Sequence, residues 1–188
     1  MNKQVWIEKA LGLGIQEFEI YQSTTVEKEM TWFQGQMDTL VSSKVTGTSI
    51  RGIVDGKMAN MALEEIDDSM CETVLKSLIE QAHIISNEET DSLRKPEPIE
   101  YAKKDVTWNM ASTEYVKDIL QSLEAKILAY DPRVIQVGYL GYSQGSGSRS
   151  IVNSLGMDVQ DADEMQYIVA SVVVKEEEEV KDASLVEV

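Results

Sequence analysis

Two stretches of this chain alternate apolar and polar residues, and each follows a helical pattern in the same order. The first reads WFQGQMDTLVSSKVTGTSIRGIVDGKMANMA, residues 32–62, with glycines at 35, 47, 52 and 56. The second reads RSIVNSLGMDVQDADEMQYIVASVVVKE, residues 149–176. A period of two marks a half-buried strand, because successive side chains leave opposite faces of the backbone. Residues 2–13 carry Val5, Trp6, Ala10 and Leu13 at helical spacing, and Gly12 and Gly14 supply the stop. Residues 113–130 carry Val116, Ile119, Leu120, Leu123 and Ile127 in the same way, with Pro132 beyond. FEI near residue 19 corresponds to IQV near 136, and GQMD at 35–38 to GMD at 156–158. This order reads as an internal duplication, about 1–86 and 112–188, joined by a connection over 87–111. One unit buries little alone. The expected fold is α+β: an antiparallel twisted sheet from two helix-plus-β-meander repeats, with helices packed on one face.

Finer expectations follow from local chemistry. In EFEIY, Phe18 and Ile20 point inward and Glu17 and Glu19 outward. TVEKEMTWF continues with Val26, Met30 and Trp32 on one face. Asp55-Gly56 between apolar runs predicts a type I′ hairpin that pairs 48–54 with 57–62, since that turn needs positive φ at both central residues. Residues 67–86 read as a helix opened by a Ser69/Glu72 capping box, with a stripe of Met70, Val74, Leu75, Leu78, Ala82 and Ile85. The 87–111 connection holds two of the three prolines and rests on the surface through Tyr101 and Trp108. Strands are expected at VIQVGYL, with Ile135, Val137 and Tyr139 inward, at SRSIVNS and at MQYIVASVVVKE. The apolar run Val172–Val174 implies cover on both faces there. GYSQGSGSRS reads as a flexible loop; it lacks the lysine and following helix of a phosphate-binding loop. The tail KEEEEVKDASLVEV reads as frayed.

Charge narrows the partners. The chain of 188 residues has 17 Lys and Arg against 33 Asp and Glu, a net −16. Phosphate neutralisation supplies most nonspecific nucleic-acid affinity, so direct nucleic-acid binding is not expected, nor is an acidic membrane surface. No apolar run approaches the roughly 20 residues needed to span a bilayer. MNKQVWIEKALGLG is broken by Glu8 and does not read as a signal peptide. One cysteine, Cys71, excludes an internal disulfide and suits a reducing cytoplasm.

Catalytic chemistry has little to work with. His83 and Cys71, the one histidine and one cysteine, lie twelve residues apart on one helix, more than three turns. Neither sits in an HExxH pattern, and no GxSxG elbow accompanies His83. Glu64, Glu65, Asp67 and Asp68 suit the positive end of a helix better than a metal site. The acids of 175–179 and Arg51 read as solvated side chains. Met30, Met37, Met58 and Met61 read as core filling rather than an adaptable surface. No catalytic, metal or cofactor-binding residue is expected, and no cofactor.

SSKVTGTSIRGIVDGKMANMALEEIDDSMCETVLKSLIEQA resembles the N-terminal region of the TldD/PmbA family, where a glycine-punctuated stretch with an Asp-Gly turn leads into an acid-capped helix. AYDPRVIQVGYLGYSQGSGSRSIVNSLGMDVQDADEMQYIVASVVVKE is similar to that family's ADPRV helix end, strand, NS.G turn and strand. The ordered set covers essentially the whole chain. The turn Asn153-Ser154-Leu155-Gly156 looks more like the PmbA (TldE) branch. The resemblance implies a cytoplasmic bacterial or archaeal protein, from a family of proposed modulators of DNA gyrase and of zinc proteases that mature or degrade peptides. It implies a TldD–PmbA heterodimer as the active enzyme. The zinc motif, a histidine-rich helix, belongs to TldD, downstream of the matched region, so no functional residue carries over. The family's large C-terminal domain follows the matched region, so the chain is expected to be a fragment, a truncated product or a free-standing module. Two functions are expected: the non-catalytic N-terminal part of a peptidase subunit, or a stand-alone interaction module. Expected partners are a second copy, a TldD-like subunit or an unfolded peptide, added at a sheet edge near TVEKEMTWF or GYSQGSGSRS.

Overall fold

The computed structural model describes residues 1–64, 66–86, 90–97 and 110–188. The elements run α1 (Lys3–Gly12), β1 (Glu17–Phe33), β2 (Gln36–Val54), β3 (Lys57–Leu63), a 3₁₀ turn (Asp68–Met70), α2 (Cys71–Ile84), α3 (Thr113–Tyr130), β4 (Val134–Asn153), β5 (Asp158–Glu176) and β6 (Glu179–Glu187). The strands form one antiparallel sheet in the order β3-β2-β1-β4-β5-β6. Each helix-led half thus contributes a three-stranded meander, and the two first strands meet at the centre. The architecture is α+β, as expected.

The hairpins follow from backbone freedom. Asp55 and Gly56 both have positive φ, and the ladder pairs Val54 with Lys57 through Thr48 with Leu63, as the Asp-Gly signal requires. Gln34 and Gly35 also both have positive φ and set the β1–β2 turn. Just beyond it, the Thr31 hydroxyl meets the side chains of both Asp38 and Thr39 and accepts from the Thr39 amide at 3.1 Å. Consecutive residues of a regular strand face opposite ways, so two of them against one marks a bulge in β2. In the second half, β5 pairs with β6 from Glu176–Glu179 to Ile168–Glu187. In both meanders the last strand covers only the C-terminal part of the middle one. No described strand lies outside β2 ahead of Thr48, or outside β5 ahead of Ile168.

Several local expectations need correction. Residues 141–150 are the interior of β4, not a loop, because neighbours on both sides supply the ladder that the Gly and Ser residues alone would not favour. SRSIVNS is the end of that same strand. The 175–188 tail is not frayed: β6 is hydrogen-bonded to β5. TVEKEMTWF and GYSQGSGSRS lie in β1 and β4, the two central strands, so neither is a sheet edge. Glu19 is buried, not outward, because both faces are covered at that end of β1. The capping box does not form; Asp67 caps the 3₁₀ turn through the Ser69 amide, and α2 starts two residues later. Met70 is exposed. Ile7 replaces Val5 and Leu13 in the buried face of α1. Ile135 and Tyr139 are exposed; burial in β4 changes phase between Val137 and Leu140. Val172–Val174 are half-buried. Tyr101 and Trp108 lie outside the described residues.

Two compact units result, each drawn from both halves of the sequence. The first comprises 1–24, 45–105 and 147–162. Its core joins Trp6 and Ala10 of α1, Phe18 and Ile20 of β1, Ile50 and Val54 of β2, and Val74, Leu75 and Leu78 of α2. Gly52 is where α2 approaches most closely: a methyl there would lie 2.8 Å from Leu78 Cδ2. The second comprises 25–44, 106–146 and 163–188. Val116 and Leu120 of α3 pack there on Met30, Trp32, Val137, Leu140 and Tyr142. Ser112 caps α3 by accepting from the Tyr115 amide.

Candidate functional site

In the first unit, buried polar groups converge at the end of the sheet where β1 begins and β4 turns into β5. Glu19 is 3% exposed. Its Oε1 accepts from Arg51 Nε at 3.0 Å and from Arg51 Nη2, and its Oε2 accepts from Asn153 Nδ2 at 3.2 Å. Arg51 is therefore anchored rather than simply solvated, though half of it reaches water. Asn153 also donates to the Arg94 carbonyl, and its Oδ1 accepts from the Leu155 and Met157 amides at 3.0 and 2.9 Å. Ser154 closes the arrangement with Phe18: its amide donates to the Phe18 carbonyl and its hydroxyl accepts from the Phe18 amide. Gly156 has φ +95°, where a side chain would be strained. Asn153, Ser154 and Gly156 of the NS.G turn thus each have a separate structural task.

The chain after residue 90 straps across these strand ends. Met58 N donates to the Asp91 carboxylate, Asp91 N to the Gly56 carbonyl, and Leu93 N to Glu17 at 2.6 Å. Leu93 is buried. Glu17 and Glu19 accept from fixed donors through both carboxylate oxygens, and Asp91 accepts through Oδ2. The arrangement orients backbone; it is not a poised proton carrier.

A second buried carboxylate sits in the other unit. Glu124 Oε2 accepts from Trp32 Nε1 at 2.7 Å and from the Gly35 amide at 3.0 Å, tying α3 to the β1–β2 turn. Both buried carboxylates escaped the sequence reading, because a Glu in a strand or helix reads as outward. Only the Trp32 indole, which needs a buried acceptor, hinted at Glu124.

The residues weighed from sequence are not brought together. Cys71 is buried at the start of α2, and burial pushes its thiol up, away from the reactive thiolate. His83 is exposed, 3.6 Å from Asp55 at the β2–β3 turn. Asp68 accepts from the Asn2 amide and the Trp6 indole, which hold its carboxyl below the usual range. Asp67 caps; Glu64 is exposed; Glu65 lies outside the described residues. Glu176 pairs with Arg133 and Glu179 with Lys181. Met30 is core, Met58 and Met61 half-buried and Met37 exposed, so they form no common surface. Among the described residues no three His, Cys, Asp or Glu groups are placed to hold a metal ion, so the zinc implied by the family resemblance has no fitting ligand set here. Among them, too, no helix is long and apolar enough to cross a membrane.

Open cavities among the described residues include the following two. One, about 310 Å³, lies on the first unit between Tyr21, Ser150, Ile151 and Val159. Lys3 of α1 donates to Ser150 beside it, and burial pushes its ammonium down, partly offset by Asp158. A lysine–serine contact can serve nucleophilic catalysis, but Ser150 lies within a strand flanked on both sides, whose amides are committed to ladders instead of an oxyanion cradle. The other cavity, about 570 Å³, is a shallow groove on the second unit beside Tyr115, Ile119, Leu123 and Ile168.

Comparison with known proteins matches this fold. Residues 18–86 match the family described as PmbA/TldA metallopeptidase domain 1, and residues 107–185 the PmbA/TldA metallopeptidase central domain. No curated protein matches the chain by sequence. Among solved structures, TldE from Thermococcus kodakarensis superposes with a TM-score of 0.79 at 18% identity, over 98% of this chain and 42% of that one. A proposed modulator of a DNA gyrase from Thermotoga maritima gives 0.78 at 18% identity, over the same shares. One from Bacteroides thetaiotaomicron gives 0.71 at 18%, over 97% and 43%. The chain spans about two fifths of the length of these relatives.

Proposed function

Since the chain belongs to the PmbA/TldD family and carries its first and central domains in order, we propose that it is the non-catalytic N-terminal region of a PmbA (TldE)-type subunit. In this reading it serves a TldD/PmbA metalloprotease system of the cytoplasm, one that matures or degrades peptides, and contributes to subunit pairing or substrate enclosure. The observation that supports it is the succession of the two matched domains in the family's order. The PmbA assignment is supported by the Asn153–Gly156 turn. Zinc and the hydrolytic step belong to the TldD-like partner. This chain's own residues supply a sheet whose strand ends in the first unit are locked by Glu19, Arg51 and Asn153.

The test is co-purification with a TldD-like subunit from the same genome, followed by peptidase assay. The chain alone should show no chelator-sensitive peptidase activity and should be retained by the partner. A chain that ignores the partner would leave the stand-alone interaction module as the better description. Zinc-dependent cleavage by the chain alone would overturn the non-catalytic assignment.

A further inference from the structure

We propose that the open outer side of β2, ahead of Thr48, pairs antiparallel with the same stretch of a second copy. This goes beyond the function proposed above and does not depend on a TldD-like partner. β3 covers β2 only from Thr48 to Val54, and no described strand lies outside the stretch before it. There the N–H and C=O groups on the outer side lack a ladder partner among the described strands, and Gln36 to Ser42 are all exposed. Met37, Leu40 and Val41 are 44%, 43% and 54% exposed. A long edge with apolar side chains is a template for strand addition unless charge protects it.

Charge selects the occupant. The corresponding open stretch of β5 carries Asp158, Asp161, Asp163 and Glu164 and no base. The outer strand β6 carries Glu179, Asp182 and Glu187 against Lys181. A second copy with net charge −16 is repelled from both. Between Gln36 and Gly47, β2 holds one acid, Asp38, and one base, Lys44, and is locally neutral. Its pattern is also self-complementary. A two-fold axis at Val41 sets Val41 against its own copy and brings Lys44 of each chain to the Asp38–Thr39 bulge of the other. Such a contact is isologous and closes at two copies instead of propagating.

Sedimentation of the chain across a concentration series tests this. The expected species is a dimer. Lys44→Glu sets acid against Asp38 and should raise the dimer dissociation constant about tenfold, and the swap Asp38→Lys with Lys44→Glu should restore it. Val41→Lys, with circular dichroism to verify the fold, should give a monomer, and Val180→Lys on β6 should change nothing. A wild-type chain that stays monomeric, including one that captures only an added extended peptide, overturns the proposal. So does a dimer that Val180→Lys breaks while Lys44→Glu and Val41→Lys do not.

Discussion

At Glu19 and Arg51 the two partners of one ion pair are in different surroundings, and that asymmetry makes a prediction. The carboxylate is buried, whereas about half of the arginine reaches water. Removing the arginine strands a charge in the interior; removing the carboxylate leaves a charge that water can solvate. Arg51→Met should therefore cost about 2–3 kcal/mol and Glu19→Gln about 1 kcal/mol, discounted for the exposed guanidinium. Urea denaturation of the two variants would decide, and a larger loss for Glu19→Gln would refute the argument. The pair was hidden in the sequence for a specific reason. Glu17 and Glu19 both fall on the polar phase of EFEIY, and nothing in that alternation reveals that Asn153 of the β4–β5 turn closes over one of them.

Among the elements, the β2–β3 hairpin was the most readable and the long strand β4 the least. Asp55-Gly56 carries its own backbone preference, so the β2–β3 register was visible without tertiary information. The helix stripe Val116, Leu120, Leu123 was visible because one face must meet a core. Residues 141–150 were not, since glycine and serine favour loops until two neighbouring strands engage them. The β5–β6 turn shows the converse conflict. Glu177 adopts φ +55°, a region where asparagine is far more comfortable. Glu177→Asn should stabilise the chain by about 0.5–1 kcal/mol, while also removing one charge from an acidic turn. Thermal unfolding would show this as a higher midpoint; a lower one would mean that Glu177 has an interaction worth more than the strain.

On the scale of the whole molecule, the two sequence halves and the two compact units are different partitions. That a helix precedes strands in each half was readable from the chain, but which strands would stand side by side was not, because alternation fixes faces and not neighbours. With β1 and β4 central, the core of the second unit takes Met30 and Trp32 from the first half, whereas the core of the first unit lies within residues 6–82. Residues 98–188, made as a separate chain, should therefore lack a cooperative unfolding transition, and mixing with residues 1–97 should restore one. A cooperative transition in 98–188 alone would contradict this. The same central position of β1 has a bearing on synthesis. β1 is complete by Phe33, yet β4 does not begin until Val134. On the ribosome, the flank of β1 that will end at the middle of the sheet waits uncovered while about a hundred further residues are made. The nascent first half is the stage at which a chaperone has most to bind, and the stage at which two neighbouring chains on one messenger could pair wrongly.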